Sequence, residues 1–163
     1  MMQHCIYFQT DLQWTIISFM PNIYLLKLNF NDPDFSIIKN IRRTVFTDEI
    51  GISKSELFDN YDKACDHFLL FDGKNIVGSV RIVIIDQQIK LERMAILKEF
   101  RAKDYGKNCI IQLKEYYLKQ GYSKIILDSI YSVRGFYKKC NFIEEGEIFQ
   151  RVGIDHIRMI STI

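Results

Sequence analysis

The stretch Ile89–Gly121, "IKLERMAILKEFRAKDYGKNCIIQLKEYYLKQG", places a short basic loop between two regular elements. Its first eight residues largely alternate between apolar and polar side chains, which is typical of a half-buried strand. Apolar side chains then recur at helical spacing from Ile110 to Leu118, and Gly121 is a natural end for a helix. We therefore predict a strand over 89–96, a loop, and a helix from about Tyr105 to Lys119.

The loop "RAKDYGKN", Arg101–Asn108, has features of an anion-binding site. A helix N-terminus presents unpaired N–H groups and a partial positive charge, so a loop leading into it can hold a phosphate through its backbone. Arg101, Lys103 and Lys107 add charge, and Gly106 allows a close approach. The same residues also fit a solvated turn with a helix cap. The GxxxxGK[ST] and GxGxxG phosphate-binding patterns are both absent.

Length and composition limit the class of protein. A chain of 163 residues is enough for one domain, and a net charge of +2 argues against broad binding to nucleic acid or membranes. The four cysteines have no metal-ligand spacing and favour reduced thiols. No apolar run approaches the ~20 residues that span a bilayer, and no export signal is visible. We expect a cytoplasmic protein without a metal, a nucleic-acid partner or a membrane partner.

The remaining segments complete one predicted domain over 21–163. A first strand covers Ile23–Asn29, two helical segments lie within 32–49 and 53–64, and Asp72-Gly73 joins two strands of a hairpin. After Gly121 we predict a buried strand, a short helix and two final strands. The order β-α-α-β-β-β-α-β-α-β-β indicates an α+β fold with a mixed sheet. Residues 1–20 form an N-terminal extension of uncertain order, which is either an added strand or an over-long start.

Three sets of motifs accompany this order. The pattern [RQ]-x-x-G-x-[GA] falls on Arg101–Gly106, with Asp104 in place of its first glycine. The pattern F-Y-x-x-x-G-F falls on Phe136–Phe142, with Asn141 in place of its glycine. The stretches "DKACDHFLL", "ERMAI" and "GIDHIRM" match a further group of motifs. Together, over about 23–160, they resemble the GNAT superfamily of acyl-CoA-dependent N-acyltransferases.

The resemblance implies a fold and an activity. It implies a three-layer structure, with helices on both sides of a mostly antiparallel sheet whose parallel fourth and fifth strands splay apart. It also implies an N-acetyltransferase that moves the acetyl group of acetyl-CoA to a primary amine by direct attack in a ternary complex. The amine would belong to a small molecule or to a protein or peptide.

By the same resemblance, acetyl-CoA would be held by two segments. The backbone of the strand segment Met94, Ala95 and Ile96 would pair with the pantetheine arm like an added strand. The pyrophosphate would be held by the loop residues Arg101, Ala102, Lys103, Asp104, Tyr105, Gly106 and Lys107. We expect Asp104 to turn away from the anion, either capping the helix or pairing with Lys103 or Lys107.

Tyr137 and Glu92 are the candidate catalytic residues. Tyr137 matches the family tyrosine that protonates the departing thiolate, and the alternative is an aromatic core residue. Glu92 lies two residues before Met94, so we expect both side chains on one face of the strand. Partial burial would raise the pKa of Glu92 and suit it to act as the base. A surface salt bridge to Lys90 or Arg93 is the alternative.

Three further residues are candidates for contact with the acceptor: His67, Arg81 and Asp128. His67 and His156 have a chemistry suited to proton transfer, but a single histidine is often structural. Arg81 suits a carboxylate, whereas the acids near Asp59 and Asp62 suit a cation such as a polyamine; both patterns also fit solvated helix faces. Asp128 could orient an amine or cap the following helix. The final strands could pair in a homodimer.

Asp104 favours a second interpretation of the whole protein. A carboxylate in the phosphate loop would repel the anion if it pointed inward. The alternative is a degenerate domain of this family that binds acyl-CoA, or nothing, and acts as a sensor or interaction module.

Overall fold

The computed structural model describes residues 16–18 and 22–163, which form an eight-stranded mixed sheet. The strands are β1 (Ile16–Ser18), β2 (Ile23–Leu28), β3 (Asp66–Asp72), β4 (Asn75–Ile85), β5 (Gln88–Ile96), β6 (Lys124–Ile130), β7 (Ile143–Arg151) and β8 (Ile154–Thr162). Their order in the sheet is β1-β2-β3-β4-β5-β6-β8-β7. Only the β5–β6 pair is parallel among these strands. The predicted α+β fold with a mostly antiparallel sheet is confirmed.

Helices cover both faces of the sheet. Helix α1 (Phe35–Arg42) continues into a π-helical segment, Arg43–Glu49, and together they pack on one face. Helix α2 (Tyr105–Leu118) packs on the other face, and the short helix α3 (Arg134–Lys138) follows β6. None of the described helices is long and apolar enough to span a bilayer.

The prediction of a helix within 53–64 is wrong. Two short 3-10 turns stand there instead, Lys54–Glu56 and Asn60–Lys63. Asp59 separates them because its backbone is extended, with φ −144° and ψ 179°. Its side chain accepts from the N–H of Tyr61, and Asp62 returns a bond to the N–H of Asp59. This reciprocal capping starts a new turn and prevents one continuous helix.

The core divides into two clusters, one on each face of the sheet. The α2-side cluster includes Phe68, Leu91, Leu127 and Met159, all buried. The α1-side cluster includes Ala95 and Ile38. Because side chains alternate along a strand, the residues between these core positions face the opposite helix layer. These assignments decide which side of the sheet each candidate residue occupies.

A β-bulge in β5 separates it from β6. Ser79 lies opposite Ala95 and Arg81 lies opposite Glu92, so two residues of β5, Arg93 and Met94, share one position of β4. Arg93 adopts a positive φ of 51°, and bulges of this kind bend a strand and increase its twist. Pairing between β5 and β6 is limited to 89–91 with 125–127. The predicted splay of these parallel strands is confirmed.

The two edges of the sheet concern the predicted N-terminal extension and the predicted homodimer. Residues 16–18, within the predicted extension, add strand β1 antiparallel to β2, and the rest of 1–20 lies outside the described residues. Strand β7 forms the other edge, where Ile143 and Ile148 are exposed. The homodimer through the final strands stays a prediction.

Candidate active site

A cleft of about 890 Å³ opens where β5 and β6 diverge. Its walls are the end of the π-helical segment, the loop after β5, and helix α3. Apolar side chains such as Phe46, Phe100 and Phe136 line part of it. We call its floor the part lined by charged residues on the α1 face of the sheet: Arg81, Lys90, Glu92 and Asp128. The volume falls within the range of small-molecule sites.

The loop leading into α2 contains two left-handed residues. Ala102 has φ 59° and Asp104 has φ 58°. Asp104 stands at the position where the motif has glycine. The expected side-chain cap by Asp104 is wrong, because its side chain makes no bond to the helix and no ion pair with a described residue. A capping residue needs an extended backbone, which Asp104 does not have. Asp104 is exposed and is one of the residues that line the cleft.

Two of the three loop cations are engaged elsewhere. The Arg101 guanidinium binds the Glu49 carboxylate at 2.7 and 3.0 Å, and its Nε donates to the Ile96 carbonyl at 2.8 Å. Lys103 Nζ donates to the Glu99 carbonyl at 3.0 Å, away from the cleft. Lys107, on the first turn of α2, is exposed and also lies outside the cleft lining. Of the three loop cations, only Arg101 belongs to the cleft lining, and its guanidinium is paired with Glu49.

The other predicted acetyl-CoA contacts divide between cleft and core. Met94, Ile96, Tyr105 and Gly106 line the cleft, whereas Ala95 is buried in the α1-side cluster. A Cβ on Gly106 would lie 3.0 Å from Phe136 Cζ and 3.2 Å from Met94 Cε. Gly106 therefore lets α2 pack closely against α3 and β5.

Tyr137 lies at the α2 side of the cleft. Its ring packs against Phe142 in an edge-to-face contact at 5.8 Å, within the α2-side cluster. Burial raises the pKa of the Tyr137 phenol above its usual value, and the thiols of Cys109 and Cys140 add to this effect. The phenol is therefore protonated at neutral pH, as a proton donor must be.

Glu92 does not match the expectation of a base. Burial by itself would raise its pKa, but hydrogen bonds from Arg81 and Lys90 outweigh burial, and the pKa lies below its usual value. The expected shared face with Met94 is also wrong. Glu92 faces Arg81 on the α1 side, whereas Met94 packs with the α2-side cluster. The bulge at Arg93 shifts the alternation by one residue between them.

Arg81 and Asp128 belong to a charge network along the floor of the cleft. We define this charge network as six cations and four acids joined by ion pairs: Arg42, Arg81, Lys90, Arg93, Arg151, Arg158, Asp59, Asp62, Glu92 and Asp128. Arg81 is 1% exposed and binds three of the acids, so it is not free for a substrate carboxylate.

Asp128 occupies the β6 end of this network. Its side chain, 1% exposed, accepts from Lys90 at 2.8 Å and from Arg151 and Arg158 at 3.0 Å. Burial alone would raise the pKa of Asp128, but its bonds to Lys90 and Arg158 lower it to about 2. Asp128 therefore binds three cations of the protein rather than capping the following helix.

His67 lies outside the cleft lining and is fully buried. Its Nδ1 accepts from Arg42 at 3.1 Å and its Nε2 donates to the Asp62 carbonyl at 2.8 Å. Burial lowers the pKa of His67 and keeps the ring neutral. The expected contact with the acceptor is wrong for His67, because both ring nitrogens are engaged and neither reaches the cleft.

Asp62, Cys65 and His67 bring three potential metal ligands within 4.8 Å of one another. Their lone pairs, however, are committed. Asp62 Oδ1 accepts from Arg42 at 2.8 Å and from Arg81 at 3.0 Å, and burial raises the pKa of the Cys65 thiol to about 11. Two guanidinium groups beside this carboxylate would repel a metal cation. The arrangement fits an ion-pair core rather than a metal centre.

Some residues of the cleft have no recognisable signal in the sequence. Arg93 forms the bulge, and its guanidinium donates to the Glu56 carbonyl at 2.9 Å. Glu49 holds Arg101 from more than fifty residues away along the chain. Neither a non-glycine bulge nor a long-range ion pair follows from local spacing. His156, by contrast, could be found from the "GIDHIRM" motif, and it lines the cleft from β8.

Comparison with known proteins identifies the family. Residues 46–163 match the model of the "Acetyltransferase (GNAT) domain". The uncharacterized protein YyaT of Bacillus subtilis (strain 168) is 32% identical over 126 residues, which are 76% of this chain and 85% of that protein. The uncharacterized N-acetyltransferase YjcF of the same organism is 30% identical over 122 residues, 74% of this chain and 86% of that protein.

A solved structure is similar to this chain in fold. It is a Bacillus subtilis acetyltransferase in complex with CoA, with a TM-score of 0.65 and 15% identity, covering 87% of this chain and 98% of that one. The matched family model spans the splayed strands β5 and β6, the loop 101–108 and Tyr137. The predicted family and enzyme class are confirmed: this chain is an acyltransferase that belongs to the GNAT acetyltransferase family.

Proposed function

We propose that this protein transfers the acetyl group of acetyl-CoA to a primary amine by direct attack in a ternary complex. The observation that carries the proposal is the gap between β5 and β6, which is lined by the loop before α2 and by Tyr137. An extended thioester arm fits such a gap, because strand edges there have lost their partners.

The acetyl-CoA contacts would come mainly from the backbone. The loop residues from Ala102 to Lys107 lead into α2, whose N-terminus attracts an anion such as a diphosphate. Exposed Lys107 adds charge at this end. Met94 and Ile96 offer the edge of β5 to the pantetheine arm. Arg101 contacts the diphosphate only after leaving Glu49.

Tyr137 is the proposed proton donor to the departing thiolate. Its phenol is protonated at neutral pH, and the residue lines the cleft from the α2 side. Glu92 is proposed to position groups at the cleft floor rather than to accept a proton, since Arg81 and Lys90 hold it in the charged state.

The acceptor is proposed to be a primary amine of a small molecule or of a peptide. The positively charged amine would meet few free carboxylates at the cleft floor, because Asp59, Glu92 and Asp128 already bind cations of the protein. This pairing weighs against a polyamine with several charges. An amine that also carries a carboxylate can approach half-exposed Arg93 and the exposed Arg151.

Two broader expectations accompany this proposal. A cytoplasmic location suits the free thiols at Cys65, Cys109 and Cys140. A homodimer through the exposed edge of β7 remains part of the proposal. Neither is needed for the chemistry within one cleft.

Asp104 supports a second candidate function. Its exposed carboxylate lines the cleft beside the proposed diphosphate site. If its repulsion prevents productive binding, the protein would act as an acyl-CoA sensor or interaction module without turnover.

The experiment that separates these candidates measures binding and turnover in the same preparation. Acetyl-CoA is titrated into the protein by calorimetry, and thiol release is then followed with a panel of amino acids, peptides, simple alkylamines and polyamines. Acetylated amine identified by mass spectrometry supports the transferase. Binding without turnover of any amine favours the sensor. Absence of binding by the folded protein removes the transferase and the acyl-CoA sensor and leaves the interaction module.

A further inference from the structure

The face of β8 that carries His156 is the same face that carries the charge network. Met159 and Ile157 of β8 belong to the α2-side cluster, so His156 and Arg158 face the α1 side. His156 lies opposite Ile130 of β6, just as Arg158 lies opposite Asp128. Ile130 lies beyond Leu127, the last residue of β6 that pairs with β5, and so at the open part of the gap. His156 therefore lies beside the α1-side opening of the cleft.

The imidazole of His156 is held in one tautomer. Its Nδ1 lies 2.8 Å from the Ile154 carbonyl, and because a carbonyl only accepts, Nδ1 must carry the proton. The ring is 7% exposed and stacks on Phe149 at 5.9 Å with an interplanar angle of 26°. Nε2 is then a proton acceptor, and no described residue hydrogen-bonds to it. A fixed ring with one open lone pair is suited to accept a proton.

The acids of the cleft floor are poor competitors for this role. Arg81 and Lys90 bind Glu92, three cations bind Asp128, and Arg81 with Arg93 binds Asp59. An ion-paired carboxylate accepts a proton only by giving up its partners. His156 loses no such partner at Nε2.

His156 and Tyr137 lie on opposite sides of the gap. Tyr137 packs with the α2-side cluster, and His156 faces the α1 side. A thioester passing through the gap would have its sulfur near Tyr137, and the approaching amine nitrogen would lie near His156. We propose that His156 is the general base that deprotonates the acceptor ammonium through Nε2, an inference that rests on the proposed acetyl transfer.

The proton balance of this step is complete. The ammonium gives one proton to His156 Nε2, and the neutral nitrogen forms the C–N bond as the C–S bond breaks. The nitrogen loses a second proton on forming the amide. The thiolate gains one proton from the Tyr137 phenol. The second proton of the nitrogen then reprotonates Tyr137, and His156 releases its proton to solvent. The products are the acetamide, CoA thiol and one proton.

The test uses a series of amines with nearly the same size and decreasing basicity. Ethylamine, 2-fluoroethylamine, 2,2-difluoroethylamine and 2,2,2-trifluoroethylamine differ in how much of each is protonated at neutral pH. The variant His156→Asn keeps a side-chain N–H that can reach the Ile154 carbonyl but has no Nε2. His156→Ala removes both the N–H group and the Nε2 acceptor. Circular dichroism and calorimetry with acetyl-CoA first establish that each variant folds and binds acetyl-CoA.

The expected result is a loss that depends on the amine. His156→Asn should lower kcat for ethylamine by about 100-fold or more, while trifluoroethylamine, already neutral, changes only a few-fold. Added imidazole should restore part of the ethylamine turnover in His156→Ala. An equal loss for all four amines in a folded variant, or no loss, would overturn the assignment. If the parent binds no acetyl-CoA, it is the proposed acetyl transfer that fails instead.

Discussion

At the scale of single residues, left-handed backbone positions shape the cleft. Ala102 and Asp104 in the loop and Arg93 in the bulge all have positive φ, although none is glycine. Such conformations cost free energy in residues with a side chain, so the surrounding structure must hold them. At Asp104, which has this left-handed backbone, the side chain makes no capping bond to the helix N–H groups, and the residue lines the cleft.

Asp104→Gly should therefore strengthen the binding of acetyl-CoA. Glycine adopts the same φ without strain, and the change removes one negative charge beside the proposed diphosphate site. An exposed charge at this range is worth about 1 kcal/mol, so the Kd should fall roughly fivefold. Ala102→Gly is the matched control, since it relieves the same strain without changing charge. Equal affinity gains in both variants would show that backbone strain, not charge, limits binding.

Tyr137→Phe should lower kcat while acetyl-CoA still binds. Phenylalanine keeps the contact with Phe142 and removes only the hydroxyl that we propose to protonate the thiolate. General acid catalysis supports an expected fall of about 100-fold in kcat with little change in KM. Tyr131→Phe is the control, because Tyr131 packs against Arg134 and lies outside the cleft lining. A Tyr137→Phe variant as active as the Tyr131→Phe variant would exclude the proton-donor role.

At the scale of elements, Gly106 determines how closely α2 approaches α3 and β5. Gly106→Ala would place a methyl group 3.0 Å from Phe136 and 3.2 Å from Met94. We expect a loss of about 1 kcal/mol in the free energy of unfolding and a higher KM for acetyl-CoA. Gly135→Ala, one residue before Phe136, meets no atom within 4 Å and should leave both quantities nearly unchanged or improve stability. Urea unfolding and steady-state kinetics of both variants measure the difference.

The elements that could be predicted are those with a local signal. Alternation identified β5, helical spacing identified α2 to within one residue of its end, and Asp72-Gly73 located the hairpin. The bulge at Arg93 escaped prediction because a non-glycine residue at positive φ has no sequence mark. That single bulge also invalidated the inferred face of Glu92. The ion pairs of Arg81 join segments up to 22 residues apart, which spacing alone does not reveal.

At the scale of the whole molecule, the charge network joins β4, β5, β6 and β8 with the segment 59–62. Removing one partner from a buried pair leaves an uncompensated charge, which commonly costs about 3–5 kcal/mol. The network thus stabilises the floor of the cleft as a unit, and its acids remain charged under conditions where free carboxyls would begin to protonate.

Stability should therefore fall in acid through these carboxyls. The pKa of Asp128 is about 2 in the folded protein, below its value in the unfolded chain, so the unfolded state takes up the proton first. The contribution of Asp128, about 2 kcal/mol, is present above pH ~4 and is lost as the pH falls through about 2. Urea unfolding at about pH 7, 5, 4 and 3 measures how steeply the free energy of unfolding depends on pH. Asp128→Asn should flatten this dependence, and an unchanged slope would contradict this origin.

The central claim is that the gap between β5 and β6 is the acetyl-CoA site. Hydrogen–deuterium exchange with and without saturating acetyl-CoA tests it most directly, because it reports backbone amides along the whole chain. We expect slower exchange in two segments, 94–96 of β5 and 102–108 at the start of α2, with β7 unchanged. Slower exchange confined to other segments, or none in a protein shown to be folded, would contradict the claim.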